Sequence, residues 1–441
     1  MRCGAPDSGD DGAMSWAYLA VTLVGASGVL LAYFPIRREP LSIYSFFTGW
    51  LVGEVAIQNI VWEVAATVVF GALGAFDAWP GWLGAAVALA GWIGLVGLVV
   101  TARRAPGVVR TALDEVRTDE FPVPASGTAP SWGRWWRVTR AIPLKGRAVE
   151  ATRNIDYWGD GRHRHMLDIY RSRLAPPAGA PVMVYVHGGA WILGNKREQG
   201  KPMMFELVAQ GWVCVAINYR LSPKATWPDH IVDVKRALAW VRSNIAGYGG
   251  DPSFMALSGG SAGGHLCALA ALTAGDASYQ PGFEDEDTSV DACVPFYGVM
   301  DVTGEDTSTG RYEPGLREML ERMVMKTTMA EHPEVFRAAS PIRRVRPDAP
   351  PFFVLHGTND TLVPVQVARN FVAALRAVSR APVAYAELPL AQHAFDVLAS
   401  LRCQATTAGV SAFLTAARAY KEKHSATGPE TDHAASVRPG S

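Results

Sequence analysis

A serine set among glycines, Gly259-Gly260-Ser261-Ala262-Gly263-Gly264, follows directly on the apolar run Phe254-Met255-Ala256-Leu257. A buried strand ending there in a tight turn would lift the Ser261 hydroxyl above the carboxyl edge of a parallel sheet, and glycines suit a strained turn that other chain segments approach closely. A serine hydroxyl attacks an acyl carbon only when a base takes its proton and a third group orients that base. His393, in Gln392-His393-Ala394-Phe395 after the strand-like Val383-Ala384-Tyr385-Ala386-Glu387-Leu388, is the expected base. Asp360 closes Phe352-Phe353-Val354-Leu355-His356-Gly357-Thr358-Asn359-Asp360, a strand, a turn and a carboxylate in order, and is the expected acid. The developing oxyanion needs fixed N–H donors, for which small residues leave the backbone approachable. His187-Gly188-Gly189-Ala190-Trp191, directly after Val182-Met183-Val184-Tyr185-Val186, supplies them at Gly189 and Ala190, with Gly188 as a further candidate and the amide of Ala262 completing the set.

Spacing alone is weak evidence in a chain with 43 glycines, so the surrounding pattern has to carry the assignment. Asp301 and Asp396 are alternative acids, but neither stands in the strand-His-Gly-x-x-Asp context of Asp360. His187 leaves its strand where such loops use a histidine for structural hydrogen bonding, and His424 and His433 lie in a polar tail. The remaining histidines, His163, His165, His230, His265, His332 and His356, precede the acid without a matching context. No His-Glu-x-x-His or Cys-x-x-Cys pattern occurs, so neither a metal nor a cofactor is expected. The five cysteines are odd in number and irregularly spaced, which reads as free thiols.

The elements that would carry these residues are legible from residue 151 on. Val182–Val186, Trp212–Ile217, Phe254–Leu257, Ala292–Phe296 and Phe352–Leu355 are short apolar runs without polar alternation, as expected of parallel strands buried on both faces. Helical patterns at 229–245, 262–274 and 365–378 lie between them, giving an α/β fold with a mostly parallel, doubly wound sheet over 151–420. An insertion at 299–345 would shape the substrate pocket, and the polar tail 421–441 is expected to be disordered.

Residues 1–104 have another character. Hydrophobic residues make up 49% of the 441-residue chain, and three apolar stretches, 14–34, 43–76 and 81–101, are long enough to be membrane segments. The middle one carries Glu54 and Glu63, which are costly in a bilayer unless they sit at helix ends. Arg37 and Arg38 follow the first stretch and Arg103 and Arg104 the last; if all three stretches cross, both pairs fall on the cytoplasmic side with the catalytic domain, making this a multi-pass cell-membrane protein. A cleaved signal peptide fits poorly, because Asp7, Asp10 and Asp11 replace a basic leader. A soluble subdomain packed on the catalytic domain is the other reading. Residues 105–150, proline-rich and holding Trp132-Gly133-Arg134-Trp135-Trp136-Arg137, read as a linker. Zero net charge with scattered Lys and Arg gives no sign of a nucleic-acid surface.

With Asn218-Tyr219-Arg220-Leu221-Ser222-Pro223 and Gly249-Gly250-Asp251-Pro252 added to the motifs above, residues 150–415 resemble the hormone-sensitive-lipase-like carboxylesterases and the allied BD-FAE esterases of the α/β-hydrolase superfamily. That resemblance implies cofactor-free hydrolysis of short- to medium-chain acyl esters or lipids by a Ser261-His393-Asp360 triad, with an aromatic and aliphatic acyl pocket under a cap. The N-terminal block is similar to that of membrane-associated bacterial carboxylesterases. Two departures stand out: Ala190 replaces a common third glycine, and Gly260 precedes the serine where acidic or small residues are frequent. Amide hydrolysis of the arylformamidase or peptidase type would use the same machinery, and a non-catalytic membrane scaffold is a third possibility.

Overall fold

The computed structural model describes residues 12–38, 40–124, 148–174, 179–305 and 314–426. Its centre is an eight-stranded sheet in the order β1-β2-β4-β3-β5-β6-β7-β8. The strands are β1 (Val149–Asp156), β2 (Met166–Ser172), β3 (Ala180–Val186), β4 (Val213–Ile217), β5 (Gly250–Gly260), β6 (Ala292–Phe296), β7 (Phe352–Gly357) and β8 (Val383–Leu388). Strands β3 to β8 run parallel, while β2 is antiparallel to both β1 and β4.

Alternate residues of each central strand enter different cores, because successive side chains point to opposite faces. Val182, Val184, Val213, Val215 and Leu257 join one cluster with Ile231, Leu238, Leu266 and Phe371. Met183, Tyr185, Cys214, Ala216 and Ala256 join the other with Met204, Leu207, Val410 and Phe413. The first face is thus covered by three helices, Asp229–Asn244, Ala262–Leu272 and Val365–Val378, and the second by Lys201–Ala209 and Leu401–Ala426. Burial on both sides is why these strands are continuous apolar runs. Cys214, Cys267, Cys293 and Cys403 are buried free thiols within this core; Cys3 lies outside the described residues.

Ahead of the sheet, the apolar helices among the described residues are α1 (Ala13–Tyr33), α2 (Leu41–Glu54), α3 (Ala56–Ala72) and α4 (Trp79–Ala102), followed by a short helix, Ala105–Asp114. The stretch read as one segment at 43–76 is two helices, bent by 88°. The break falls beside Glu54, whose carboxylate pairs with Arg402 at 2.9 Å while both side chains are buried. The bend thus coincides with the residue that this buried pair fixes against the sheet region. Contacts give the directions. The C-terminal end of α1 meets the sheet region, Asn359 Nδ2 donating to the carbonyl of Ala32 at 2.8 Å, whereas Tyr18 near its start packs its ring 5.5 Å from Phe70 and 5.7 Å from Phe76 beyond α3. α1 and α4 therefore run toward the sheet region, α3 runs away from it, and α2 lies against it.

Close packing among α1, α3 and α4 depends on small residues, as in helix pairs without a hydrophobic driving force. A Cβ at Gly94 would lie 2.5 Å from Val29 Cγ1. Glu63 points into this trio, its Oε1 2.9 Å from where a Cβ on Gly25 of α1 would stand. Many large apolar side chains face outward, including Trp62 at 73% and Val24 at 70% exposure, while Leu95 and Leu98 are buried in a small cluster with Val29. Two helical stretches, Ala13–Tyr33 and Trp79–Asp114, are long and apolar enough to cross a membrane, and the bent α2–α3 pair would make a third.

Two boundaries differ from expectation. The stretch read as linker begins with a helix, Ala105–Asp114, that packs so tightly on the last helix that a Cβ at Gly409 would reach within 2.2 Å of Val109 Cγ1. The last helix itself extends through Ala426, so residues 421–426 of the expected tail are helical. The Trp132–Arg137 cluster and residues 427–441 lie outside the described residues.

Candidate active site

Ser261 stands at the exit of β5 with φ 57° and ψ −122°, a conformation L-residues rarely adopt. It is held there by its own amide, which donates to Phe296 O at 3.0 Å, and by the His265 amide, which donates to Ser261 O at 2.9 Å. Glycine is required nearby for space: a Cβ at Gly263 would lie 2.1 Å from the carbonyl oxygen of Val186. These are the physical costs of a serine raised at a strand-to-helix turn.

Asp360 and His393, 33 residues apart, meet through a 2.7 Å contact between Asp360 Oδ2 and His393 Nδ1. Asp360 Oδ1 accepts from the amides of Leu362 at 2.9 Å and Val363 at 2.8 Å. Burial pushes the Asp360 carboxyl up, but the charge of His393 and hydrogen bonds from His356 and His393 outweigh it and hold the group well below the usual carboxylate range. Asp360 is therefore ionised throughout the working pH range, as a group that orients an imidazole and stabilises its cation must be.

His356 is a partner the sequence reading passed over. Its Nε2 lies 3.2 Å from Asp360 Oδ2 and 3.0 Å from Val363 O. The available signal was its position four residues before the acid in one strand-turn motif. The alternative acids are engaged elsewhere: Asp396 accepts from the Tyr297 hydroxyl, and Asp301 accepts from Thr303 and Ser340. Burial raises the Asp396 carboxyl to about 6.

Tyr297 also connects the serine turn to the base. Its ring centroid is 4.4 Å from that of His393, and its hydroxyl would lie 2.8 Å from a Cβ at Gly260. The glycine before Ser261, a departure from the common pattern, is explained by that tyrosine.

The loop after β3 comes to the same place, with Gly188 close enough that a Cβ there would stand 3.1 Å from Ser261 Cβ. The amides of Gly189, Ala190 and Ala262 carry no hydrogen bond among the described residues. Gly189 (φ 120°) and Ala190 (φ 51°) both adopt left-handed backbone. The amide of Gly188, the further candidate, donates to Gln199 Oε1 at 2.7 Å. His187 behaves as a structural histidine, its Nδ1 2.8 Å from Gly188 O and its ring stacked 4.4 Å from Tyr219. Burial lowers it to about 4, so it stays neutral there.

A mostly parallel sheet presenting a strained serine, an acid-histidine pair and a glycine loop at its carboxyl edge defines an α/β-hydrolase. A solved structure of esterase B from Lactobacillus rhamnosis shares the fold, with a TM-score of 0.52 at 18% identity over 65% of this chain and 90% of that one. The family model for BD-FAE matches residues 167–375. The probable carboxylic ester hydrolase LipM of Mycobacterium tuberculosis is 44% identical over 440 residues, covering 93% of this chain and 95% of LipM. Esterase LipQ of the same organism is 51% identical over 386 residues, 86% of each chain. The chain belongs to the BD-FAE group of α/β-hydrolases and is a carboxylic ester hydrolase.

Proposed function

We propose that the chain hydrolyses short- to medium-chain acyl esters, lipid esters among them, through Ser261, His393 and Asp360. Ser261 Oγ attacks the acyl carbon as His393 takes its proton; the amides of Gly189, Ala190 and Ala262 bind the oxyanion; and His393 returns the proton to the leaving alcohol. Water then repeats the sequence on the acyl-enzyme and releases the acid. The observation that carries this reading is the convergence of a strained Ser261, the Asp360–His393 contact and uncommitted loop amides at one sheet edge.

The enzyme is anchored by three membrane crossings, α1, α3 and α4, with α2 lying along the catalytic region at the surface. Arg37, Arg38, Arg103 and Arg104 then share one end of the bundle with the catalytic region, which the charge bias of membrane proteins assigns to the cytoplasm. The test is hydrolysis of p-nitrophenyl acetate through palmitate by the detergent-purified full chain, beside Ser261→Ala. Turnover on the shorter esters that falls by about 10⁴-fold or more in the variant is expected. Equal rates in the two proteins would remove Ser261 from the mechanism, and no turnover of any ester, with the matching p-nitroanilides cleaved in a parallel assay, would move the substrate to amides.

A further inference from the structure

The helical region and the active site meet at a small set of long-range contacts, all on the side of the acid and the base. Arg37, in the turn between α1 and α2, donates from Nη1 to the carbonyl of Asp360 at 2.7 Å and from Nη2 to that of Thr358 at 3.2 Å. Trp50 on α2 donates from Nε1 to the carbonyl of Ala394 at 2.9 Å. Ala394 directly follows His393 and has φ 62°, so the indole N–H holds a strained residue next to the base. Phe46, one turn earlier on α2, sets its ring edge-on to the His393 imidazole, with centroids 6.0 Å apart and planes at 78°. Trp50 stacks on Phe46 at 6.0 Å.

These contacts are directed. On α2, Ser42 O accepts from Thr361 Oγ1 at 3.4 Å, Gly53 O accepts from Arg402 Nη1 at 3.2 Å and Phe46 meets His393, so these buried residues face the catalytic region; Gly49 packs on Leu31 of α1, and Ile43, Tyr44, Phe47 and Leu51 are exposed. Nothing about anchorage requires α2 and the turn before it to donate to the carbonyls of Asp360 and of the residue after His393. A tether could join the catalytic region through the chain alone.

We infer that α2 and the turn before it are part of the active site: Phe46 is a wall of the substrate site that sets how much bulk fits beside His393, and Arg37 and Trp50 are positioning residues that hold Asp360 and His393 in register with Ser261. The inference rests on the Ser261-His393-Asp360 reading. Removing the Phe46 ring opens space beside the base, so larger esters gain relative to small ones. Removing either donor lets one loop drift, which weakens proton transfer without altering the surface that binds substrate.

The full chain in detergent tests this with kcat and KM measured separately on p-nitrophenyl butyrate and decanoate. Phe46→Ala is expected to raise the decanoate-to-butyrate ratio of kcat/KM about fivefold. Trp50→Phe, which keeps the ring and loses the N–H, is expected to lower kcat five- to tenfold with KM within twofold. Arg37→Met is expected to lower kcat further, and Arg37→Lys, which keeps one charged donor, to recover part of the loss. The inference is overturned if the Phe46→Ala ratio is unchanged and both donor variants keep wild-type kcat. It is equally overturned if Arg37→Lys is no better than Arg37→Met while both melt at lower temperature, since the arginine is then only structural. Ser261→Ala run alongside separates the two levels: retained activity there defeats the triad reading, whereas an inactive Ser261→Ala with unaffected Phe46, Trp50 and Arg37 variants defeats only this one.

Discussion

The two halves of this molecule are both rich in apolar residues and dispose of them in opposite ways. In the sheet region Val213, Val215 and Ile217 are fully buried between two helical layers, whereas on α3 and α4 Trp62 and Ile93 stand 73% and 67% exposed. In the helical region Leu95 and Leu98 are also buried, but close approach of the helices rests on small and polar residues: Gly94 against Val29, Glu63 toward Gly25, and the Tyr18 hydroxyl to Thr67 Oγ1 at 3.0 Å. An apolar interior suits a solvent of water, and an apolar exterior suits one of lipid. The junction follows neither rule, being built from polar groups satisfied across it: the Glu54–Arg402 pair, Arg37 on two carbonyls, and Asn359 on the end of α1.

The contrast can be broken from either side. Within the hydrolase half, Asp360→Asn should keep the fold and lower kcat by roughly 10⁴-fold, because an amide presents the wrong hydrogen-bonding pattern to His393. Steady-state kinetics on p-nitrophenyl butyrate would show this, and a loss under tenfold would mean that His393 does not depend on Asp360.

At the junction, Arg402→Met should strand Glu54 as a buried charge and cost about 3–5 kcal/mol. Glu54→Gln combined with Arg402→Met should recover most of that, since the penalty comes from the unpaired partner. Thermal unfolding in detergent distinguishes the cases, and equal melting of the single and double variants would show the pair to be unimportant.

On the outward face of α3, Val68→Arg should cost about 2.5–3.5 kcal/mol of membrane insertion if that face meets lipid. The measure is the fraction of protein that resists carbonate extraction from membranes. An undiminished fraction would favour a helical region that is packed on the hydrolase without entering a bilayer.

The smallest effect concerns Asp396. Its folded value near 6 exceeds that of an unfolded aspartate near 4, so between these values the native state binds the extra proton and stability falls as pH rises. Asp396→Asn should flatten that slope and add on the order of 2–3 kcal/mol above pH 6. Unfolding measured from pH 4 to 7 would reveal it, and an unchanged slope would assign the titration to another group.

Much of the site was readable because its signals are local. The serine turn, the glycine loop and the strand-turn-acid motif each lie within about ten residues, and their chain order restricts which histidine can serve. The same locality explains what was misread. Glu54 and Glu63 were both expected to be costly in a bilayer unless at helix ends; Glu54 does end α2, on Arg402, whereas Glu63 faces the interior of the helix trio. The helix Ala105–Asp114 was hidden by Pro106 in its first turn, and its packing on the last helix is a contact only the fold supplies.

The sequence by itself determined the chemistry class, the strands buried on both faces and the presence of long apolar helices near the N-terminus, since each is a property of residue types at short, periodic spacing. Only the tertiary structure decided that Gln199 takes the Gly188 amide, that His356 shares Asp360, and that Arg37, Phe46 and Trp50 reach residues more than 300 positions away. Such contacts leave no periodicity in the chain. They exist because folding brings an arginine or an indole N–H to a backbone carbonyl, and any residue type can supply a carbonyl.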